Sequence, residues 1–476
     1  MRLASATSFA AVLLLLSGTS RPMAAQGFQL NEIGTCAMTR GSAATGATCG
    51  DPSVIDWNPA AAVTLPGWSA YAGAAAISVS GSFTADTTGR LDKANAATEF
   101  PPHLFVNYAD RGGRWAVGIG AYVPYGLTSQ WHDDFAGRFT ALKASLQTVY
   151  VQPNFAYRFA PGWSIGGGPV FGHSTVELRQ SIDLATQVAG ANAGGPITFG
   201  MLGIPARTEF ARANLKGSAT AWGFNVGVHG ALTPNLELGV RYLSQLSFDY
   251  DDADATFAQI PTGLVIADGN PLPGVDGGTP LDALLALQFA TGQPLSARKV
   301  ATRIKHPAQL QVGLGYSGIT NTVLSAAVSW SMFSSFDKLP VDFQGSNPPP
   351  DRVLIEDYNN SWSLRAGVEH AFAIGIKGRA GFNFIRTPAP DITVTPLLPD
   401  MNRKNYTVGI GVPLSPRYTL DAGYLRVDTD GRRGRIVERS SGTGSVPMSA
   451  ETASQLNSGF YTLNANVFSL SVRANF

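Results

Sequence analysis

Strict alternation of apolar and polar residues recurs along this chain and constrains its fold more than any other feature. Val149, Val151, Phe155, Tyr157 and Phe159 interleave with Thr148, Gln152, Asn154 and Arg158. Leu236, Leu238, Val240, Tyr242, Leu246 and Phe248 interleave with Glu237, Arg241, Gln245, Ser247 and Asp249. Trp362, Leu364, Ala366, Val368 and Phe372 alternate with Ser363, Arg365 and Glu369. The chain ends on Phe468, Leu470, Val472, Ala474 and Phe476 set against Ser469, Ser471, Arg473 and Asn475. Successive side chains of a strand point to opposite faces, so each segment has one apolar and one polar face.

About fourteen segments carry this pattern, near 68–79, 102–110, 114–124, 146–159, 162–177, 217–230, 235–250, 301–317, 321–333, 360–372, 375–387, 404–413, 416–427 and 464–476. Short turns near 110–113, 160–161, 232–234, 317–321, 373–374 and 414–416 alternate with long links. A meander whose tight turns share one side has this asymmetry. The longer segments exceed the five or six residues usual in a globular strand, which argues against a soluble sandwich with inward apolar faces.

The first 25 residues form a separate object. Arg2 gives a positive start, Phe9 to Leu16 an apolar run, and PMAAQ a small-residue cleavage site after Ala25. This reads as a secretory signal peptide. No later run reaches the roughly 18 apolar residues of a spanning helix. An exported meander with an even strand count and one apolar face per strand is an outer-membrane β-barrel, because an open sheet edge would leave backbone groups unpaired in lipid. The fold class is therefore all-β, with a barrel of about fourteen antiparallel strands over 68–476, in the outer membrane of a Gram-negative bacterium. The net charge of +1 becomes −1 when the leader takes Arg2 and Arg21 away, and no basic block points to nucleic acid.

Residues 26–67 precede the first strand. Their DPSVIDWNPAAAV (51–63) reads as a turn into a short helix, with Asn58 as N-cap and Pro59 presetting the first turn. A lumen of fourteen strands leaks unless filled, and this segment is placed to plug it. Cys36 and Cys49 are the only cysteines. In an oxidising compartment they can pair, closing a loop worth about 3 kcal/mol in the chain-entropy model; two buried thiols are the alternative.

The chain resembles the FadL family of outer-membrane transporters for long-chain fatty acids and aromatic hydrocarbons. The resemblance rests on Gly27-Phe28-Gln29-Leu30-Asn31-Glu32, Asp51 to Ser53 and Asn58-Pro59-Ala60. It continues through PYGLTSQWHDDFAGRFTAL (124–142), TVYVQPNFAYRF (148–159) and RTPAPDITVTPLLPDMNR (386–403). The cysteine pair and a long fourth loop depart from it. The resemblance implies a fourteen-stranded barrel closed by an N-terminal hatch, with Phe28, Asn58, Pro59 and Ala60 at the gate. It also implies capture by apolar outer loops, hatch rearrangement and lateral exit at a kink in strand 3, where Gly118 and Gly120 stand. Glycines within a strand also mark ordinary bends.

LDALLALQFA (281–290) is the best helix candidate beyond the leader. Leu281, Leu284, Leu285 and Leu287 give it an apolar side and, with Phe289, the expected capture groove, since exposed apolar patches mark binding sites; a loop packed on its neighbours is the alternative, and a second helix is expected near 178–190. Period two places Arg303 and Lys305 on the lumen face of strand 8, with Gln309 and Gln311, as candidates for holding a carboxylate. Ordinary lumen polarity, with Glu237, Glu369 and Asp421 as partners, is the competing reading. Gly313, Gly315 and Gly318 spell GxGxxG but lack the helix start that phosphate binding needs, so a turn is expected there. His132, Asp133 and Asp134 are adjacent and would diverge rather than converge on a metal. The expected function is passive uptake of a hydrophobic small molecule by a monomer in contact with outer-membrane lipid, with no cofactor and no catalysis. A lipid-modifying enzyme of the outer membrane and a general porin are the alternatives.

Overall fold

The computed structural model describes residues 28–86, 88–192, 195–272, 274–434 and 458–476. The expected leader, and Gly27 of the resemblance, lie outside them. Fourteen crossing strands follow from the alternation. β1 is Gly67–Ala85, β2 Pro102–Ala109, β3 Trp115–Gln130, β4 Lys143–Ala160 and β5 Trp163–Asp183. β6 is Glu209–Thr233, β7 runs as Leu236–Leu243 and Leu246–Gln259, and β8 as Arg298–His306 and Gln309–Ile319. β9 is Thr322–Ser331, β10 Ser361–Ala371, β11 Lys377–Ile385, β12 Arg403–Pro413, β13 Tyr418–Thr429 and β14 Gly459–Asn475. Neighbours pair antiparallel, and β1 pairs with β14 from Ser69↔Asn475 to Ala85↔Gly459, which closes the sheet and abolishes its edges. Among the described residues no helix is long and apolar enough to cross a membrane; the strands do so.

The two faces differ as the sequence requires. Phe155, Ile165, Val226, Val312, Leu314, Leu364, Val408 and Leu470 are exposed on the outside, where lipid replaces water. Gln152, Asn225, Arg241, Gln311, Arg365 and Asn405 are buried on the inside. Two opposed breaks interrupt this order. Ser244 and Gln245 separate the halves of β7, and Pro307 and Ala308, directly opposite, separate those of β8. Pro307 has no N–H to give to a ladder. The backbone does not alternate through these residues, so parity inverts and Leu246, Phe248, Tyr250, Ile304 and His306 point inward above the break. Above the break the wall is therefore polar outside and apolar inside.

Residues 28–66 fill the barrel. They form α1 (Thr35–Thr39), α2 (Val54–Trp57) and a 3-10 turn (Pro59–Thr64), nearly all buried. Inward glycines make room for their backbone. A Cβ on Gly239 would fall within 3.0 Å of the Thr45 carbonyl, one on Gly367 equally near that of Arg40, and one on Gly381 against Gly41. Gly313 and Gly315 belong to this set: they lie in β8 against Gly46 and Ala47, so the GxGxxG is strand, not the expected turn. The helix expected at 178–190 is also absent. β5 continues to Asp183, followed by a 3-10 turn and a small hairpin of Val188–Asn192 with Gly195–Thr198.

Candidate functional site

The N-terminal segment is held by paired polar groups. Asn58 donates to the carbonyls of Thr45 (2.9 Å) and Val228 (3.0 Å) and accepts from the Ala60 amide. The Pro59 carbonyl accepts from Asn154, and that of Ala60 from the Ser164 hydroxyl. Arg241 reaches in from β7 to Asp56 at 2.9 Å and also donates to Asn225 and Gln309. Burial pushes the Asp56 carboxyl upward while Arg241 pulls it down. Arg365 donates to Asn31 and to the Ser42 carbonyl. Cys36 and Cys49 are bonded, with Cα atoms 6.1 Å apart.

Above this plug lies an aromatic chamber filled by Phe28, built from β3, β8 and the link after β9, with His306 turned into it by the parity inversion. Phe28 lies there with ring centroids 5.8 Å from Tyr125, 5.4 Å from His306, 5.5 Å from Phe333 and 5.2 Å from Phe336. Tyr358 closes it behind Phe333 and Phe336.

The third feature is a departure of β3 from its neighbour. β2 and β3 pair only from Leu104↔Ala121 down to Ala109↔Ala116. Beyond Ala121, β3 bulges between Tyr122 and Tyr125 against β4. Its edge there is taken by the N-terminal segment: the Leu30 amide donates to the Pro124 carbonyl and the Gly126 amide to that of Phe28, both at 2.8 Å. A cleft opens between this part of β3 and β1, lined by Val79, Gly81, Ala94, Leu127, Trp131 and Leu463 among others. A second, contiguous cleft shares Val79, Arg403 and Leu463 with the first and reaches Leu30 and Glu32.

Several expectations change on this geometry. Gly118 and Gly120 stand in the regular β2–β3 ladder, opposite Asn107 and Phe105, where Ile55 packs over them. The irregularity lies higher, at Tyr122–Tyr125. Arg303 and Lys305 do not face the lumen, because the break at Pro307 and Ala308 inverts the parity that period two assumed. Arg303 is 58% exposed and paired with Asp249 on the outer surface, so neither residue lines the cavity. The inward cation at the cleft is Arg403, which the alternation does not single out because it opens a strand after the Pro-rich loop.

Leu281 and Leu285 are not exposed. With α3 (Leu281–Ala286) they pack into a cluster with Ile182, Leu184, Phe199, Phe210 and Ile266, against which Leu284 and Phe289 are partly buried. The most exposed apolar side chains of these loops among the described residues are Leu287 and Met201, each 70% exposed, with Val265 and Val188 also exposed. Asp133 and Asp134 go to Arg212 and Arg90 rather than to a shared point. A Cys36, Cys49 and Asp51 grouping brings together atoms of potential ligands, but both sulfurs are spent in the disulfide.

This architecture has relatives. The family described as outer membrane protein transport protein (OMPP1/FadL/TodX) matches residues 15–476. The chain belongs to the OMPP1/FadL/TodX family. A long-chain fatty acid transport protein of Escherichia coli (strain K12) is 24% identical over 423 residues, covering 83% of this chain and 86% of that protein. The crystal structure of a Pseudomonas aeruginosa FadL homologue superposes with a TM-score of 0.76 at 20% identity, over 94% of this chain and 100% of that one. That of the Ralstonia pickettii toluene transporter TbuX gives 0.64 at 16% identity, over 94% and 100%. This OMPP1/FadL/TodX member is a fourteen-stranded outer-membrane barrel of a family of transporters.

Proposed function

We propose that this barrel takes up hydrophobic small molecules passively, as a monomer in outer-membrane lipid. Long-chain fatty acids and aromatic hydrocarbons are the candidates that its relatives' names supply. Residues 28–66 act as the hatch. The outer loops around Leu287 and Met201 collect ligand, the aromatic chamber around Phe28 receives it, and the cleft beside β3 passes it sideways into the bilayer. The observation that carries this reading is the apolar cleft at the point where β3 leaves β2, beside a lumen filled by the N-terminal segment. An apolar solute gains about 25 cal/mol for each Å² it removes from water, so a dry lateral path suits it better than an aqueous pore. A plugged lumen disfavours the general porin. The enzyme reading finds little support, since the Ser471–His103 contact of 2.9 Å is buried beside Tyr71, away from lipid.

The test is uptake of labelled oleate and labelled toluene by cells lacking their own fatty-acid transporter and expressing this chain. Accumulation of either above the vector control is the expected result. Equal accumulation with and without the chain, with the barrel folded in the membrane, would refute it.

A further inference from the structure

The lower cleft is apolar except at one end. Leu30, Ile77, Val79, Val427, Leu463 and Val467 form its walls, and Glu32 and Arg403 face the same space. Asp400 joins them from the adjoining cleft. Arg403 is 6% exposed. Its Nη2 donates to Asp400 at 2.9 Å, while its Nε is buried without a hydrogen-bond partner among the described residues. Asp400 also accepts from the Thr387 hydroxyl. Glu32 accepts from the Asn31 amide at 2.8 Å. Of the other charged groups, Arg432 is paired with Asp391, while Arg365 bonds only neutral acceptors, Asn31 and the Ser42 carbonyl, so its charge also acts on Glu32. Tyr358 is near enough to Arg403 to act on its charge, and Glu99 is a further buried acid, bridged to Ile77 on the β1 wall.

Two carboxylates and one guanidinium therefore line the polar end, and with Arg365 behind Glu32 the local charges balance when all are ionised, leaving no spare cation for an added anion. An anionic head group would bring a third negative charge into a space with little water, where like charges disfavour joint ionisation. The Arg403 guanidinium nevertheless offers that head a positive charge at the cleft wall, and its Nε has no hydrogen-bond partner among the described residues. The conflict is resolved by a proton. Desolvation already holds the half-buried Glu32 carboxyl above its ordinary range, against the opposing pull of the Asn31 amide, Arg403 and Arg365. Once protonated, Glu32 loses its charge and becomes a donor beside the Arg403 guanidinium. A neutral ligand needs no such change.

We propose that the Glu32–Arg403 end of the cleft binds an anionic amphiphile together with one proton, and a neutral hydrophobic molecule without one. This rests on the transport reading above and assigns selectivity to Glu32 of the hatch and Arg403 of β12. With a sulfonate, which does not titrate, Glu32 carries the proton. With a fatty acid, one proton is shared between two carboxyls.

The experiment is calorimetric titration of the full barrel in lipid nanodiscs with decanesulfonate and with decanol, from pH 5 to pH 8.5. In the unmodified protein, sulfonate affinity should fall about tenfold for each pH unit once Glu32 ionises, the slope of a single linked proton, while decanol affinity stays flat. Glu32→Gln should keep sulfonate affinity constant across the range. Arg403→Gln, which can still bond Asp400, should lose sulfonate binding and keep decanol. Resistance of each variant to unfolding in unheated SDS controls for the fold. Sulfonate affinity independent of pH in the unmodified protein, or a pH slope unchanged in Glu32→Gln, would overturn the proton link while leaving transport standing. If neither probe binds at any pH, the cleft is no ligand site and both readings fall.

Discussion

Arg241 and Asp56 illustrate what holds the hatch at the level of single residues. The pair is buried on both sides at 2.9 Å, and Arg241 spends its other nitrogens on Asn225 and Gln309. Removing one partner of a buried pair leaves a charge uncompensated and typically costs about 3–5 kcal/mol. Asp56→Asn retains a carbonyl acceptor, so its effect should lie at or below the lower end. The expected outcome is a folded barrel whose hatch opens more often, seen as raised ionic conductance in planar bilayers; conductance equal to the unmodified protein would mean the pair does not secure the hatch. Gly367 makes the same point through shape. A methyl there would meet the Arg40 carbonyl, and backbone cannot retreat as a flexible side chain can. Gly367→Ala should therefore also leak, while Gly89→Ala, at a site whose Cβ meets nothing within 4 Å, should not. Such glycines could be found in the sequence only by asking which inward positions lack a side chain, a question alternation alone does not raise.

At the scale of elements, legibility tracked the regularity of the strand. The ends of β2, β4, β9 and β12 lie close to where period two places them, because lipid on one face and a filled lumen on the other force alternation. The same rule misassigned Arg303 and Lys305, since it carried one parity through Pro307, where the ladder breaks. It also could not see that Leu281 and Leu285 pack against Leu184, Phe199 and Phe210 of the preceding loop, because loop packing has no period. The link from Phe333 to Tyr358, which covers the Phe28 chamber, gives a pH prediction. Glu356 is buried there, and desolvation with Asp357 nearby raises its carboxyl to about 8. A carboxyl raised in this way favours the packed link fully below about 4.5, its ordinary value, and that stability is lost progressively as pH climbs toward 8. Hydrogen exchange of the link should accelerate over that window and lose its pH dependence in Glu356→Gln, after correction for intrinsic exchange. The disulfide acts on the hatch alone. Its loop, with a sequence separation of 13, restricts the unfolded segment by about 3 kcal/mol in the chain-entropy model. Reduction, or Cys36→Ser with Cys49→Ser, should raise protease sensitivity between α1 and α2 without unfolding the barrel.

For the whole molecule, the decisive matter is whether ions and hydrophobic solutes share a path. The lumen runs along the barrel axis and is closed by residues 28–66, whereas the cleft leaves sideways between β1 and the part of β3 that has left β2. An axial route is controlled by the hatch, a lateral one by the cleft walls, and the two can be separated by variants. Deleting residues 28–60 should raise ionic conductance strongly, because the inward wall it exposes is polar, with Arg241, Gln311, Arg365 and Asn405. Val79→Trp, at a position that lines both clefts, should leave conductance at its low unmodified level and reduce hydrocarbon uptake several-fold. The two changes combined test the separation. If solutes leave laterally, the double variant conducts ions like the deletion but still takes up toluene poorly. If they pass down the axis, deleting the hatch restores toluene uptake despite Trp at position 79, and the lateral route is wrong.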